Sequence, residues 1–413
     1  QMCIRDRIKR DRNRPSIILW SLGNELQIRE GWAGFEGTND WGITTYNIFN
    51  QLVKRWDNTR LTTVAMFPAR AGAITRHDKE FNDYLVPPEL ACATEVASFN
   101  YQSDKYDAYL KYKPDLILFQ SEAETSNLLQ PYYNMDRKRT VGMAYWGSAE
   151  YWGESNKWPK KGWNYSFFDH TMRPYPQAYL IKSAFMPEIP EVHIGVVDAA
   201  GAESVSWNDV IVGRMALNEC WNHTPGSRQS LFTFTNAHSV ELLVNGQSMG
   251  VQENDTTQAN LRNMIYWKDV PYGNGGSVVA IARDKSGKEV ARHHIETAGK
   301  AVALRIEAET PADWKADGMD LQYINVTAID KKGRPVWDYN KPLTLQMEGA
   351  AWLVALDNGD HYTDELFHGI TSKRMYQGRM QIILRSTKTP SNVKLEISSA
   401  DLKEKLSLKT SLK

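Results

Sequence analysis

Two glutamates stand in matching positions. Glu25 follows the apolar run IILWSL (17–22) after a Gly-Asn pair, and Glu122 directly follows DLILFQS (115–121). A barrel keeps its chemistry where strands give way to loops, so both carboxyls are expected at one barrel mouth. Cleaving a glycosidic bond requires a proton for a poor leaving group and an anion facing a positively charged anomeric carbon. Two carboxyl groups meet both needs when their surroundings push their pKa values apart. A lone glutamate past a strand is more commonly a surface loop residue or the first-turn acid of a helix; the repetition weakens that reading without removing it. Glu124 is a rival to Glu122, because residues two apart on an extended segment share a face and spacing cannot choose between them.

Other chemistries find less support. Cys3, Cys92 and Cys220 are widely spaced and form neither a zinc pattern nor a disulfide framework. His77, His170, His223 and His238 are separated, and the adjacent His293 and His294 lie in an extended run and must face opposite ways. No metal and no cofactor is therefore assigned. The 49 basic and 49 acidic residues cancel, which supplies no long-range attraction for a polyanion and argues against a nucleic-acid partner. The run Arg137, Lys138, Arg139 reads as a solvated face. A neutral ligand fits better, and the 14 Trp and 19 Tyr offer rigid aromatic faces on which a sugar can stack. No stretch has the length and apolarity of a transmembrane helix, so membrane insertion is not expected.

The elements that must position the carboxylates come in two patterns. Up to about residue 187, buried strands alternate with helical segments: IILWSL, the helix ITTYNIFNQLVKRW (43–56), LTTVAM (61–66), VASFNY (96–101), a helix from Asp104 to Tyr112, DLILFQS, VGMAYW (141–146) and the helix PYPQAYLIKSAF (174–185). IILWSL lacks polar alternation and predicts a strand buried on both faces. The alternation predicts βα units and a parallel sheet. Five strands are too few to close an eight-stranded barrel, so residues 1–187 are expected to hold about strands four to eight of a partial (β/α)8 TIM barrel. From residue 188 onward, short strands interrupted by NG, SG and KG turns predict two β-sandwich domains, over 188–299 and 300–413. The class expected is therefore α/β followed by all-β.

Several segments resemble one family. RDRNRPSIILWSLGNE (10–25) is similar to the acid/base signature of glycoside hydrolase family 2, which comprises β-galactosidases, β-glucuronidases and β-mannosidases. Carried over by motif, the resemblance implies Glu25 as acid/base and Asn24 as a contact of the substrate 2-hydroxyl. QSEAETS (120–126) resembles the nucleophile segment, which implies Glu122 as nucleophile. Asn100-Tyr101 resembles a pair whose tyrosine bonds the nucleophile, and VGMAYWGSAEYWGESNKWPKKGWNYSFFD (141–169) resembles the last barrel strand and loop. That match implies Trp146 as the floor of the sugar site; Glu150 and Glu154, in the loop after it, are candidates either to contact hydroxyls or to brace the loop, Glu150 being taken as a hydroxyl contact and Glu154 as a brace. The stretches around 234–272 and 316–360 resemble sandwiches that follow the barrel in bacterial members.

The resemblance implies a retaining exo-β-glycosidase acting on carbohydrate. No Asn-x-Lys feature suited to a uronate follows Glu122, so β-galactosidase is preferred over β-mannosidase and β-glucuronidase. A non-catalytic carbohydrate-binding remnant is the alternative from another class. Some members bind Mg²⁺ or Na⁺, for which these residues supply no ligand set. The resemblance also admits a homo-oligomer and suggests a periplasmic or extracellular place of work. The family's amino-terminal domains and first barrel strands have no counterpart here, and the opening QMCIRDR does not match the family pattern.

Overall fold

The computed structural model describes residues 2–25, 42–67, 87–125, 128–155, 158–198, 203–207 and 210–412. They form two compact units, one drawn from 1–148 with 203–214 and 257–262, the other from 149–202, 215–256 and 263–413.

The first unit runs α1 (Met2–Asp11), β1 (Leu19–Ser21), α2 (Ile43–Lys54), β2 (Leu61–Met66), α3 (Glu89–Ala93), β3 (Val96–Asn100), α4 (Tyr106–Tyr112), β4 (Leu118–Ala123) and β5 (Thr140–Tyr145). The five strands are parallel and lie side by side in chain order. This is an open, curled sheet of the kind that makes up part of a (β/α)8 barrel, and it brings every carboxyl-terminal strand end to one edge. Val64, Met66, Ala97, Phe99 and Leu118 pack on one face of the sheet against Tyr46 of α2, Leu90 and Ala91 of α3, and Tyr106 and Tyr109 of α4. The alternate residues point the other way and include polar ones: Thr63 Oγ1 and Ser98 Oγ share a hydrogen bond of 2.6 Å.

Three local expectations need correction. The apolar run 17–22 is not buried on both faces; β1 is partly exposed and Ile18 is 81% exposed, because among the described residues β1 borders the sheet and has a neighbour on one side only. The strand expected at 115–121 begins at Leu118 and runs on to Ala123, so Glu122 lies inside it. The helix expected from Asp104 opens with a tighter turn over Ser103–Lys105 before α4. In addition, α1 occupies the opening segment, with Ile8 buried and Lys9 over the ring of Trp56.

The border strand is clasped to the rest of the sheet by Asp57. Its Oδ2 accepts from Trp20 Nε1 and Arg60 Nη1, both at 2.9 Å, and its Oδ1 accepts from Thr59 N and Oγ1. Arg60 also donates to the carbonyls of Ile17 and Arg14. Burial alone would raise the Asp57 carboxyl, but the bonds from Thr59, Trp20 and Arg60 outweigh it and hold the group far below the usual carboxylate range.

In the second unit, two antiparallel four-stranded sheets, 192–197 with 217–218, 228–235 and 264–271, and 239–244 with 247–253, 277–283 and 289–296, enclose a core that includes Ile194, Trp221, Leu231, Leu242, Trp267 and Ala280. A second pair of four-stranded sheets encloses a core around Trp314, Ile324, Leu345, Ile382 and Ile397. Both are sandwich-like, with inward apolar residues alternating with outward polar ones. Helix α5 (Pro176–Phe185) starts with proline at its first position, where the missing N–H costs nothing, and Asn263 Nδ2 donates to its Ser183 Oγ at 3.0 Å. Among the described residues no helix is long and apolar enough to cross a membrane.

Replacing Asp57 by Ala leaves Arg60 and the Trp20 indole without their shared acceptor and should cost about 3 kcal/mol, the usual scale for breaking a buried ion pair. Hydrogen exchange should locate the loss in β1 and the start of β2. Because the folded-state pKa of Asp57 is depressed, its contribution is present above the unfolded carboxylate pKa, about 3.9, and fades as the pH falls below that value; the parent protein should lose β1 protection on acidification while Asp57→Ala shows a smaller change.

Candidate active site

Strand register decides which way the carboxylates point. Between β3 and β4, Ala97 pairs with Leu118 and Phe99 with Gln120, but Asn100 pairs with Glu122. Ser121 is thus an extra residue in β4, a bulge of the kind that re-aims side chains next to functional sites. Leu118 packs against the helices, and strict alternation would turn Glu122 to that same apolar face. The bulge turns it instead to the face of Ser98 and Asn100.

There Glu122 meets Tyr101, whose hydroxyl donates to Oε2 at 2.6 Å. The Tyr101 amide donates to the Glu122 carbonyl at 2.8 Å, so both ends of the pair are joined. Tyr101 adopts a left-handed backbone conformation, φ 60°, and so does Glu25, φ 50°. Non-glycine residues rarely sit there, and such strain is typical of functional sites. Burial first, then the negative charge of Glu122 and the bond to it, and then the charges of Glu25 and Glu124 push the Tyr101 phenol far above its ordinary value. All three carboxylates therefore act on a single hydroxyl, which remains a donor at any working pH.

Asn24 belongs to the same cluster. Ser121 Oγ donates to Asn100 Oδ1 at 2.7 Å, and Asn100 Nδ2 donates to Asn24 Oδ1 at 3.2 Å. With its oxygen engaged, Asn24, which is exposed, has amide N–H groups to offer, the polarity needed to bind a hydroxyl oxygen. Leu22 N and Ala65 N continue the β1–β2 ladder past β1, bonding Thr63 O and Gly23 O, and fix the strand end just before Asn24 and Glu25. Trp146 follows β5, half-buried, with its amide bonded to Ala123 O at 3.0 Å. Five of the six residues singled out in the sequence, Asn24, Glu25, Tyr101, Glu122 and Trp146, thus lie at the carboxyl-terminal ends of the strands of one sheet.

Glu150 is placed differently. It lies in the second unit, is 4% exposed, accepts from Tyr175 Oη at 3.0 Å and stands 3.0 Å from His361 Nε2. Glu154 accepts from Tyr151 Oη at 2.6 Å. Buried Asn100 and the bulge residue Ser121 were not singled out as site residues in the sequence, although the Asn-Tyr pair was; the extra residue that joins them leaves no compositional mark. Gln120, whose Nε2 donates to the Glu122 carbonyl at 3.1 Å, is a third. Among the described residues, no set of three metal-ligating side chains converges around Glu25 and Glu122.

Comparison with known proteins bears on this arrangement. Residues 2–145 match the TIM barrel domain of glycosyl hydrolases family 2 and residues 304–406 match C-terminal domain 5 of glycoside hydrolase family 2, while residues 226–291 match a domain of unknown function. The chain is 24% identical to the β-galactosidase BoGH2A of Bacteroides ovatus over 97% of its own length and 50% of that protein. A β-glucuronidase of Formosa agariphila is 26% identical over 40% of this chain and 14% of the relative. The crystal structure of a family 2 glycosyl hydrolase from Bacteroides cellulosilyticus superposes with a TM-score of 0.79 at 24% identity, covering 98% of this chain and 50% of that one. A β-glycosidase from Bacteroides vulgatus does so with a TM-score of 0.70 at 20% identity, covering 98% and 52%. The chain spans about half the length of the relatives it matches along most of its length. With the barrel model matching the unit that carries the carboxylates and the family's own terminal domain matching the last sandwich, in that order, the chain belongs to glycoside hydrolase family 2.

Proposed function

We propose that the protein is a retaining exo-β-glycosidase in which Glu122 is the nucleophile and Glu25 the acid/base. The observation that carries this reading is the 2.6 Å bond from the Tyr101 hydroxyl to Glu122, made in a cluster where Glu25 acts on the same phenol. A donor locked onto one carboxylate stabilises its ionised form and readies it for attack, and it favours Glu122 over Glu124. In the first step a Glu122 oxygen bonds to the anomeric carbon as the glycosidic C–O bond breaks and Glu25 passes its proton to the departing oxygen. In the second, Glu25 takes a proton from water, whose oxygen displaces Glu122 and releases the sugar with its configuration retained. Asn24 holds the 2-hydroxyl and Trp146 floors the sugar.

For the sugar itself we favour β-galactoside. The relative that aligns along nearly the whole chain is described as a β-galactosidase, and no Asn-x-Lys pattern lies near Glu122 in the sequence to hold a uronate carboxylate. β-Glucuronide is the second reading, because another relative is described as a β-glucuronidase.

In the full-length protein, Glu122→Gly should abolish turnover of 4-nitrophenyl β-glycosides, and azide or formate should partly restore release of 4-nitrophenol from an activated substrate. Rescue of Glu124→Gly instead would move the nucleophile to Glu124. Across a panel of such substrates the galactoside should be cleaved fastest, and a protein that binds sugar without cleaving any would overturn the enzymatic reading. Tyr101→Phe removes the donor on Glu122, so the nucleophile should become protonated at higher pH. The acid limb of the kcat/KM profile should therefore move upward, and kcat should fall by about 10- to 100-fold, the kinetic equivalent of a hydrogen bond to a charged group.

A further inference from the structure

Within the second unit, three metal-ligating side chains that are far apart in the chain come together. Glu150 and His361 are almost fully buried and the His170 side chain is 5% exposed. Glu150 Oε2 lies 3.0 Å from His361 Nε2 and 4.0 Å from His170 Nδ1, and the two ring nitrogens are 3.2 Å apart. Ligand atoms about 2.0–2.1 Å from a tetrahedral zinc ion stand about 3.3–3.4 Å from one another; the mean of the three observed separations falls there.

The surroundings orient the rings for the same task. His170 Nε2 lies 2.8 Å from Asp357 Oδ1, so that nitrogen carries the proton and Nδ1 turns its lone pair to the centre. A histidine ligand whose other nitrogen is held by a carboxylate is the usual outer-shell arrangement at zinc. Asp357 is itself fixed by the Gly359 amide, which donates to the same oxygen at 3.0 Å, and the second Glu150 oxygen is taken by Tyr175. The His170 and His361 rings stand at 85° to each other, so their in-plane lone pairs converge. Trp152 closes the cage, stacked 5.1 Å from His361 and edge-on 5.0 Å from His170. Close approach of the His361 ring requires Gly162, where a Cβ would stand 2.9 Å from Nδ1.

A second group, His193, Glu219 and His293, has the same composition but the wrong geometry. Its rings are stacked 3.9 Å apart at 28°, so their lone pairs run side by side. His293 Nδ1 accepts from the Ile194 amide at 3.1 Å, which places the ring proton on Nε2, the nitrogen that faces Glu219.

We propose that Glu150, His170 and His361 bind a zinc ion, with Asp357 as the carboxylate that orients His170. Two imidazoles and one carboxylate suit zinc or a neighbouring first-row divalent ion and not the all-oxygen shells of Mg²⁺ or Ca²⁺. The ion ties the loop after β5 to the loop that follows strand 351–357, so it acts as a structural clip, and Glu150 serves it in place of a sugar hydroxyl.

The test is metal analysis of the protein purified without chelator or histidine tag. Zinc should be present at about one ion per chain, and the chelator-stripped protein should regain thermal stability on adding Zn²⁺. Co²⁺ added to the stripped protein should give the visible absorption of a four-coordinate ion. His361→Gln and Glu150→Gln should lose the stoichiometric zinc, His193→Gln should keep it, and Asp357→Asn should weaken affinity by about 10- to 100-fold. The unsubstituted protein taking up neither Zn²⁺ nor Co²⁺ would overturn the proposal, leaving a proton on His361 Nε2 shared between His170 and Glu150. So would zinc binding that is unchanged in both His361→Gln and Glu150→Gln. Because the Co²⁺ spectrum uses the unsubstituted protein, failure of a variant to fold does not shield the proposal.

Discussion

One hydrogen bond, from the Tyr101 hydroxyl to Glu122, depends on two departures from regular strand geometry made at the same level of the sheet. Ser121 inserts into β4 and turns Glu122 away from the helix-facing core. Tyr101 then takes a left-handed backbone conformation as the chain leaves β3, which lets its hydroxyl reach back across the strand gap. Neither change is useful alone. Without the bulge, Glu122 would lie on the face of Leu118 and Phe99, where a carboxylate would have to be neutralised or expelled. With a regular turn after Asn100, the Glu122 carboxylate would face the site without its donor.

The same bulge disposes of a second problem. Asn100 is fully buried on the inner face, and a buried amide costs several kcal/mol unless its donors and acceptor are used. Ser121, the extra residue, supplies the donor to Asn100 Oδ1, and Asn100 passes its own N–H to Asn24. The chain of bonds runs from β4 to its neighbour β3 and then, past β2, to the end of β1. An orientation set in the middle of the sheet is thereby transmitted to Asn24, beside Glu25, on a border strand held at its base by Asp57. Deformation of β4 and placement of the residues around Glu25 are one connected polar arrangement.

Much of this was legible in the sequence, for reasons that can be stated. LTTVAM and VASFN are strands because β-branched and small apolar residues buried on both faces suit a central parallel strand, and β2 occupies Leu61–Met66 as read. The helix at 43–54 follows from its apolar spacing, with Tyr46 and Val53 buried. Sandwich strands such as 239–244 and 351–357 follow from alternation and NG turns. IILWSL misled because apolar content reports what a strand buries in a closed barrel, whereas among the described residues β1 pairs with β2 alone. The hairpin 203–207 with 210–214 was passed over, since ESVSW and VIVGR are short and joined by an unremarkable Asn-Asp. Spacing alone left Glu122 and Glu124 open because residues two apart on an extended segment share a face, and what favours Glu122 is the Tyr101 hydroxyl, a partner from the end of β3 that spacing does not reveal.

The histidines mark a different limit. Read along the chain, His170 is one of several isolated histidines, and His361 sits in a turn-rich segment after an Asn-Gly pair. Folding closes a span of 191 residues to bring their nitrogens within 3.2 Å, and no local pattern encodes such a meeting. Proximity itself does not give function, since His193 and His293, on strands of the two different sheets of one sandwich, also come together and end as a stack with Tyr179. The difference lies in ring angle and in the partner of the second nitrogen. A backbone amide donating to His293 Nδ1 protonates the nitrogen that faces Glu219, while a carboxylate accepting from His170 Nε2 frees the nitrogen that faces Glu150. One proton, placed by an outer neighbour, separates a packed ionic stack from a cage of converging lone pairs.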